Sequence, residues 1–396
     1  MNHIKKLFKQ KPYNNKGQDQ LFTKAMKENC LFHYQSSETY RRICISQNFH
    51  PDQIKTIDDL EKIPIIPTAY LKQNEMLSVD KKKLKIKVTS SGTSGKKSVV
   101  GFDLKSIFMG LRMLLRLGKY HKLFSLKPSR FIVMGYEYTK KTSIAISKST
   151  YVYTFFSPAL SKDYALKYIN GEYKLDLENI KQKLIKYSKK KAPVRINGFP
   201  SYTYFLLKQM KDEGFKLKLP KGSMLSTGGG WKQFQNEQID KNTFYDLVND
   251  VVGIPHEKIF EFFSAVEHPV LYVDCKYHHF HVPAYARVLI RDVHDLKVIG
   301  ANKIGLVNLL SPIANSIPLT SIMTDDLGIL HDTPCPCGLT TPYLELISRV
   351  GVKDVVTCAQ GASEYLVGGA KWFYTKVKLM NQQKRMNYFH PFILIS

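Results

Sequence analysis

Three short apolar runs, each stopping at glycine, constrain this chain more than any other feature. They are Arg130-Phe-Ile-Val-Met-Gly135, Val194-Arg-Ile-Asn-Gly198, and Ser223-Met-Leu-Ser-Thr227 running into Gly228-Gly229-Gly230. Runs of this length without apolar/polar alternation fit strands buried on both faces, as in a parallel sheet covered by helices. The intervening segments read as helices. Ser106 to Leu117 is periodic, Leu177, Ile180, Leu184 and Tyr187 recur at helical spacing, and Tyr202 to Lys211 is helical after the loop Phe199-Pro200-Ser201. Strands alternating with helices predict a layered α/β body.

Other regions differ. Residues 1 to about 80 read mostly helical, with Phe22, Met26, Leu31 and Tyr34 at roughly helical spacing and Pro64 and Pro67 as breaks. Lys85 to Ser90 alternates and ends in a Gly/Ser loop. From Val270 to about Leu330 the pattern turns strand-rich, through Tyr285 to Ile290 and Ile304 to Leu310, which predicts a second sheet or a small barrel. Periodicity is lost near Arg349. The expected organisation is a main domain over 1–348, a β-rich subdomain within about 270–345, and a short segment over 349–396.

The 396 residues can bury a large core, and no apolar run reaches the roughly 18 residues needed to span a bilayer. The start, Met1-Asn-His-Ile-Lys-Lys, has no apolar stretch before a cleavage site, so a cytoplasmic location is expected. Six cysteines are too sparse for a disulfide scaffold of this size and fit a reducing compartment. The formal charge is +26, from 59 Lys+Arg against 33 Asp+Glu. Most of the surplus is lysine spread along the chain, and the runs at 81–87 and 189–191 look like solvated edges. A nucleic-acid groove would cluster arginine with aromatics, so no nucleic-acid partner is expected.

Five places carry residue types suited to chemistry. Ser90, Ser91, Gly92, Thr93, Ser94 and Gly95 form a hydroxyl-rich loop after a strand, able to hold phosphate oxygens or to be a plain surface turn. Only Thr93 and Ser94 separate Gly92 from Gly95, so it is not a Walker A loop. Gly228, Gly229 and Gly230 would let a flat ligand lie against the backbone, or simply make a sharp strand-to-helix turn. Phe263 followed by Glu267 offers a stacking face and a metal-binding carboxylate, although a core aromatic beside an exposed Glu is the simpler reading. Asp325 and Asp326 could bind ribose hydroxyls or cap a turn. Arg349, with Gly351, Lys353 and Asp354 after it, reads alone as a solvated turn.

The order of these places resembles that of the adenylate-forming enzymes. Within that superfamily the chain looks most like the acyl-protein synthetases (the LuxE family), in its Ser-Ser-Gly-Thr-Ser-Gly loop and its Gly-Gly-Gly-Trp-Lys segment. The resemblance covers roughly residues 10 to 366. It implies the N-terminal domain of that fold, with layered α/β sheets, a smaller β-rich subdomain and a truncated C-terminal segment. It implies ATP and Mg²⁺ as cofactors and a fatty or related carboxylic acid as substrate. Ser90 to Gly95 would hold the ATP phosphates, and Gly228 to Gly230 would line the adenine and acyl side. Phe263 would stack on adenine, Glu267 would be the Mg²⁺ carboxylate, and Asp326 would bind the ribose with Arg349 assisting. Ser264 and Val266 depart from the superfamily's Gly and Thr at those places.

The same resemblance gives Cys358 the role of acyl acceptor, handing the acyl group to a partner reductase. Cys275, His281, Cys335 and Cys337 form a separate set suited to tetrahedral Zn²⁺, with His278, His279 and His331 as competing ligands, or else are reduced structural cysteines in a turn. Four protein ligands would make such a zinc structural. Residues 368–396, basic and aromatic, match nothing in the family. The rival readings are an acyl- or aryl-CoA ligase and a non-catalytic basic binding protein on the same fold.

Overall fold

The computed structural model of the chain describes residues 2–14, 17–89, 99–139, 144–231, 234 and 237–349, the last without its side chain. In chain order the helices are α1 (Asn2–Leu7), α2 (Gln18–Ser36), α3 (Glu38–Ser46), α4 (Thr68–Gln73), α5 (Leu104–Tyr120), α6 (Ala145–Tyr153), α7 (Leu177–Ser188), α8 (Pro200–Asp212) and α9 (Lys241–Val252). The strands are β1 (Ile66–Pro67), β2 (Leu84–Thr89), β3 (Val99–Asp103), β4 (Ser129–Tyr136), β5 (Ala159–Ile169), β6 (Glu172–Leu175), β7 (Val194–Gly198), β8 (Met224–Gly228), β9 (Ile259–Phe263), β10 (Tyr272–Val273), β11 (Phe280–His281), β12 (Arg287–Arg291), β13 (Ile304–Leu310), β14 (Ser321–His331) and β15 (Tyr343–Arg349).

The three glycine-terminated runs become β4, β7 and β8, neighbours in a seven-stranded sheet of order β10-β9-β8-β7-β4-β5-β6. The strands from β9 to β5 pair in parallel, and the edges β10 and β6 are antiparallel. β7 is buried along its whole length, as a run without polar alternation requires. The connecting helices start on definite signals. Asp176 caps α7 by accepting from the Asn179 amide, and Asp240 caps α9 through the Thr243 amide. Pro200 stands in the first turn of α8, where its missing N–H costs nothing. Gly253, at φ +68, ends α9. Ile180, Leu184, Leu206, Val248 and Val251 from these helices meet Ile132, Ile196 and Leu225 from the sheet in one core.

The strand-rich stretch folds as a sheet of order β11-β15-β14-β13-β12, with β1 added in parallel to β14. Its path does not close on itself among the described strands, so it is a second sheet and not a barrel. Its core is shared with the N-terminal helices: Phe8, Phe22, Met26 and Tyr40 pack with Tyr285, Val307, Leu309 and Ile322. Polar bonds stitch the same two regions. The Ala284 amide donates to the Pro12 carbonyl at 2.6 Å, the Asn29 amide group to the Ala314 carbonyl at 2.9 Å, and the Arg291 guanidinium to the Glu61 carbonyl at 2.8 Å. β2 and β3 make a separate antiparallel pair in which Thr89 faces Val99, so residues 90–98 connect two paired strand ends.

Candidate active site

Gly228, Gly229 and Gly230 stand at the carboxyl end of β8, with Gly229 at φ +82 and Gly230 at φ +67, in the left-handed region that favours glycine. A Cβ on Gly229 would lie 3.0 Å from Ile146 Cδ1 and 3.1 Å from Phe199 Cε1. The glycine edge is therefore walled by α6 and by the start of α8. Two residues before Ile146, Ile144 forms a parallel bridge with Thr89 at the end of β2. The Lys148 ammonium also donates to the Lys87 carbonyl at 2.7 Å. The stem of the hydroxyl-rich loop is thus held against the glycine edge. Ser90, Ser91, Gly92, Thr93, Ser94 and Gly95 themselves lie outside the described residues, as does Cys358.

The parallel register of β8 and β9 sets Gly228 opposite Phe262, so Phe263 leaves the sheet beside the glycines. Its half-buried ring packs at 5.5 Å from Tyr272 and 6.1 Å from Phe280. A tight turn follows, in which Ala265 and His268 exchange amide-to-carbonyl bonds of 3.3 and 3.1 Å. The turn tucks Glu267 in to 6% exposure. The exposed carboxylate expected from the sequence alone is therefore corrected: Glu267 is buried, and no described side chain bonds its oxygens. Beside it His268 is fully buried, with Nε2 at 3.2 Å from the Tyr272 hydroxyl and Nδ1 without a partner. Burial pushes this imidazole down to about 3, which keeps it neutral.

Asp325 and Asp326 are not at a turn. They lie inside β14, because β14 continues to His331 against β15. Arg349 ends β15 and is not in a solvated turn, and the register sets it directly opposite Asp326. The two residues assigned together to the ribose are thus cross-strand partners. Asp325 is buried and accepts from the Thr68 hydroxyl at 3.3 Å, a contact that ties α4 to β14. The structure places Asp326 and Arg349 on the second sheet, Gly228 and Phe263 at the ends of strands of the first, and Gly229, Gly230 and Glu267 in the segments that follow those strands.

Cys275, His281, Cys335 and Cys337 come together, their four ligand atoms all within 4.8 Å of one another. Cys275 follows β10, His281 ends β11, and Cys335 and Cys337 sit in the turn between β14 and β15. His281 Nδ1 lies 2.8 Å from the Thr341 carbonyl, which can only accept, so Nδ1 carries the proton and Nε2 points its lone pair at the thiols, 3.3 Å from Cys337 Sγ. The Tyr277 and Leu339 amides donate to Cys275 Sγ and Cys337 Sγ, each at 3.4 Å. Burial pushes the Cys275 thiol up to about 12, with the neighbouring thiols adding to it, an environment that a bound dication would reverse. This donor set fits Zn²⁺. Two of the competing histidines are engaged elsewhere, His278 with Asp274 at 2.7 Å and His331 with Glu345 at 2.7 Å, whereas His279 Nδ1 lies 3.2 Å from Cys335 Sγ beside the quartet.

The model of the acyl-protein synthetase (LuxE) family matches residues 5–367. The chain belongs to that family. Among curated relatives, the long-chain-fatty-acid–luciferin-component ligase of Aliivibrio fischeri is 26% identical over 353 residues, 86% of this chain and 88% of the relative. The Vibrio harveyi protein of the same name is 24% identical, with 88% of each chain covered. Among solved structures, a 2-hydroxyisobutyryl-CoA ligase in complex with 2-HIB-AMP and CoA superposes with a TM-score of 0.64 at 14% identity, over 86% of this chain and 70% of that one. The fold is accordingly that of the adenylate-forming enzymes.

Sequence reasoning missed the walls of the glycine edge. α6, which brings Ile146, had no recognised signal. Phe199 was read only as part of a loop, although its place just before Pro200 marks a helix start.

Proposed function

We propose that this chain activates a long-chain fatty acid with ATP and passes the acyl group to a thiol. The observation that carries the reading is the convergence of three separated segments: the stem of the hydroxyl-rich loop, the Gly228–Gly230 edge, and the Phe263–Glu267 turn. The names of the two curated ligases support a fatty acid as the substrate class.

In this reading the fatty carboxylate attacks the α-phosphorus of ATP, pyrophosphate leaves, and an acyl-adenylate remains. A thiolate then attacks the acyl carbonyl, AMP leaves, and a thioester forms. The backbone at Gly228–Gly230 gives the nucleotide a surface without side chains, and the Phe263 ring offers a face for adenine. Asp326 accepts from the ribose hydroxyls, with Arg349 beside it. Glu267 would hold Mg²⁺, which would supply positive charge for the phosphate oxygens when bound. The loop from Ser90 to Gly95 donates to those oxygens, and Cys358 is the acyl acceptor that serves a reductase or another protein. Zn²⁺ held by Cys275, His281, Cys335 and Cys337 would have a structural role. No described helix is long and apolar enough to cross a membrane, and a cytoplasmic setting suits the free thiols at positions 30, 44, 275, 335 and 337.

The test is incubation with ATP, Mg²⁺ and a panel of labelled carboxylic acids, followed by pyrophosphate assay and intact mass. Wild type is expected to release pyrophosphate and gain a hydroxylamine-labile acyl adduct. Glu267→Gln should lose pyrophosphate release by about a hundredfold or more, the scale of removing a charge-stabilising group. Cys358→Ser should keep pyrophosphate release and lose the adduct. Pyrophosphate release without any adduct moves the acceptor to coenzyme A or another protein. No release with any acid refutes the reading.

A further inference from the structure

α5 has two apolar faces. Ser106, Met109, Met113 and Leu117 are buried against the body of the protein. Leu104, Phe108, Leu111 and Leu115 are 65, 47, 50 and 51% exposed. Their spacing of four, three and four residues lines them up on the opposite side of the helix. A helix apolar on both sides is ordinarily covered on both sides. The outer stripe runs on past the end of α5. The Phe124 ring lies against Gly118, leaving no room there for a Cβ, and it packs 4.8 Å from the Phe156 ring. Phe124, Leu126 and Phe155 then line an open cavity of about 560 Å³, with Leu126 94% exposed. This cavity sits at the amino ends of β4 and β5, whereas Gly228–Gly230 stand at the carboxyl end of the parallel β8. The face is therefore on the edge of the sheet away from the proposed adenylation site.

The charge on this face has one sign. Residues 104–127, which carry α5 and Leu126, contain six Lys and Arg and no Asp or Glu. Lys105, Arg112, Arg116, Lys119, Lys122 and Lys127 ion-pair with no described carboxylate. The Arg112 guanidinium lies 4.4 Å from the Phe108 ring centre, and the Lys162 ammonium lies 4.8 Å from that of Phe155. Cations thus rim the apolar stripe, as on helices that lie in a lipid interface. Two copies of such a face would set like charges against each other, which disfavours self-association.

We propose that this face docks on an anionic lipid bilayer, with α5 lying in the plane of the interface and Leu126 and Phe155 entering beside it. At seventeen residues α5 is about 25 Å long, enough to lie along the surface and too short to cross. The inference rests on the surface alone and not on the proposed reaction.

The full chain is mixed with vesicles of phosphatidylcholine and of phosphatidylcholine with phosphatidylglycerol, and binding is read by flotation without ATP or fatty acid. Binding to the anionic vesicles is expected, about tenfold or more above the neutral ones and falling with salt. A Leu111→Glu/Leu115→Glu variant should bind those vesicles at least about tenfold more weakly, since it replaces buried apolar contact with like charge. Its thermal melting should be unchanged, because both side chains are exposed. Three results overturn the proposal: no binding to either vesicle, equal binding by the variant, which would assign it to scattered lysines, or a wild-type dimer that the variant dissociates in sedimentation.

Discussion

Acidification should unfold this protein through histidines that are buried without charge. Burial lowers His33 to about 4, His121 to about 4 and His268 to about 3, against an ordinary value of 6.5. A base whose folded value is depressed stabilises the fold fully above 6.5, and loses that contribution as pH falls, because the unfolded chain takes up protons that the folded chain refuses. Between pH 8 and pH 5 each histidine should cost about 2 kcal/mol, so the three together cost about 6 kcal/mol. Asp274 acts in the opposite direction: burial raises it to about 6, so the folded state binds a proton first and regains about 1.4 kcal/mol over the same range. From these four groups the net loss is between about 4 and 5 kcal/mol, a large share of the stability of an ordinary domain, and the lowered His279 and His281 add to it in the same direction. Urea titration at pH 8, 6.5 and 5 measures it. His268→Gln, which removes one proton site and keeps a polar group near Tyr272, should shrink the pH-dependent loss by about 2 kcal/mol while lowering stability at pH 8. A stability that does not fall between pH 6.5 and 5, or a variant with an unaltered pH dependence, would refute the reasoning.

Two further outcomes follow from the geometry. Protein purified without chelator should carry about one zinc per chain by elemental analysis, and His281→Ala or Cys337→Ser should lose the metal and melt at lower temperature, since a structural metal contributes folding free energy directly. Gly198→Ala should cost about 2–3 kcal/mol in urea unfolding, because Gly198 sits at φ +141 with its missing Cβ aimed into the Met134 carbonyl.

The centre of the parallel sheet was readable because β4, β7 and β8 are buried on both faces, whereas the partly exposed β5 and β9 left no such run. Arg130–Gly135, Val194–Gly198 and Ser223–Thr227 could be little else, and their order along the chain became their order in space. The second sheet was readable only as strand-rich, because a short antiparallel strand such as β11 carries two residues and leaves no pattern. β1 joins that sheet from more than 250 residues away, a pairing that no local signal encodes. At the site, residue types announced Gly228–Gly230 and the Cys/His quartet, and the structure joined the quartet. Burial of Glu267 was not readable, because it depends on the turn that Ala265 and His268 close. The adjacent Asp325 and Asp326 suggested a turn by composition, and cross-strand pairing with β15 overrode it.

The stitching of the first eighty residues to the second sheet bears on how the chain is made. α2 finds its partners at Ala314, Tyr40 meets the Thr320 hydroxyl, and Ile66 pairs with Ile322. A ribosome adding about 5–20 residues per second needs on the order of 12–50 s to travel from the first of these regions to the last. Through that interval the N-terminal helices hold apolar faces that nothing yet covers, while the parallel sheet between them can close on itself. A nascent chain halted before β14 would present a finished middle and an unfinished beginning, and this is the species a chaperone would meet.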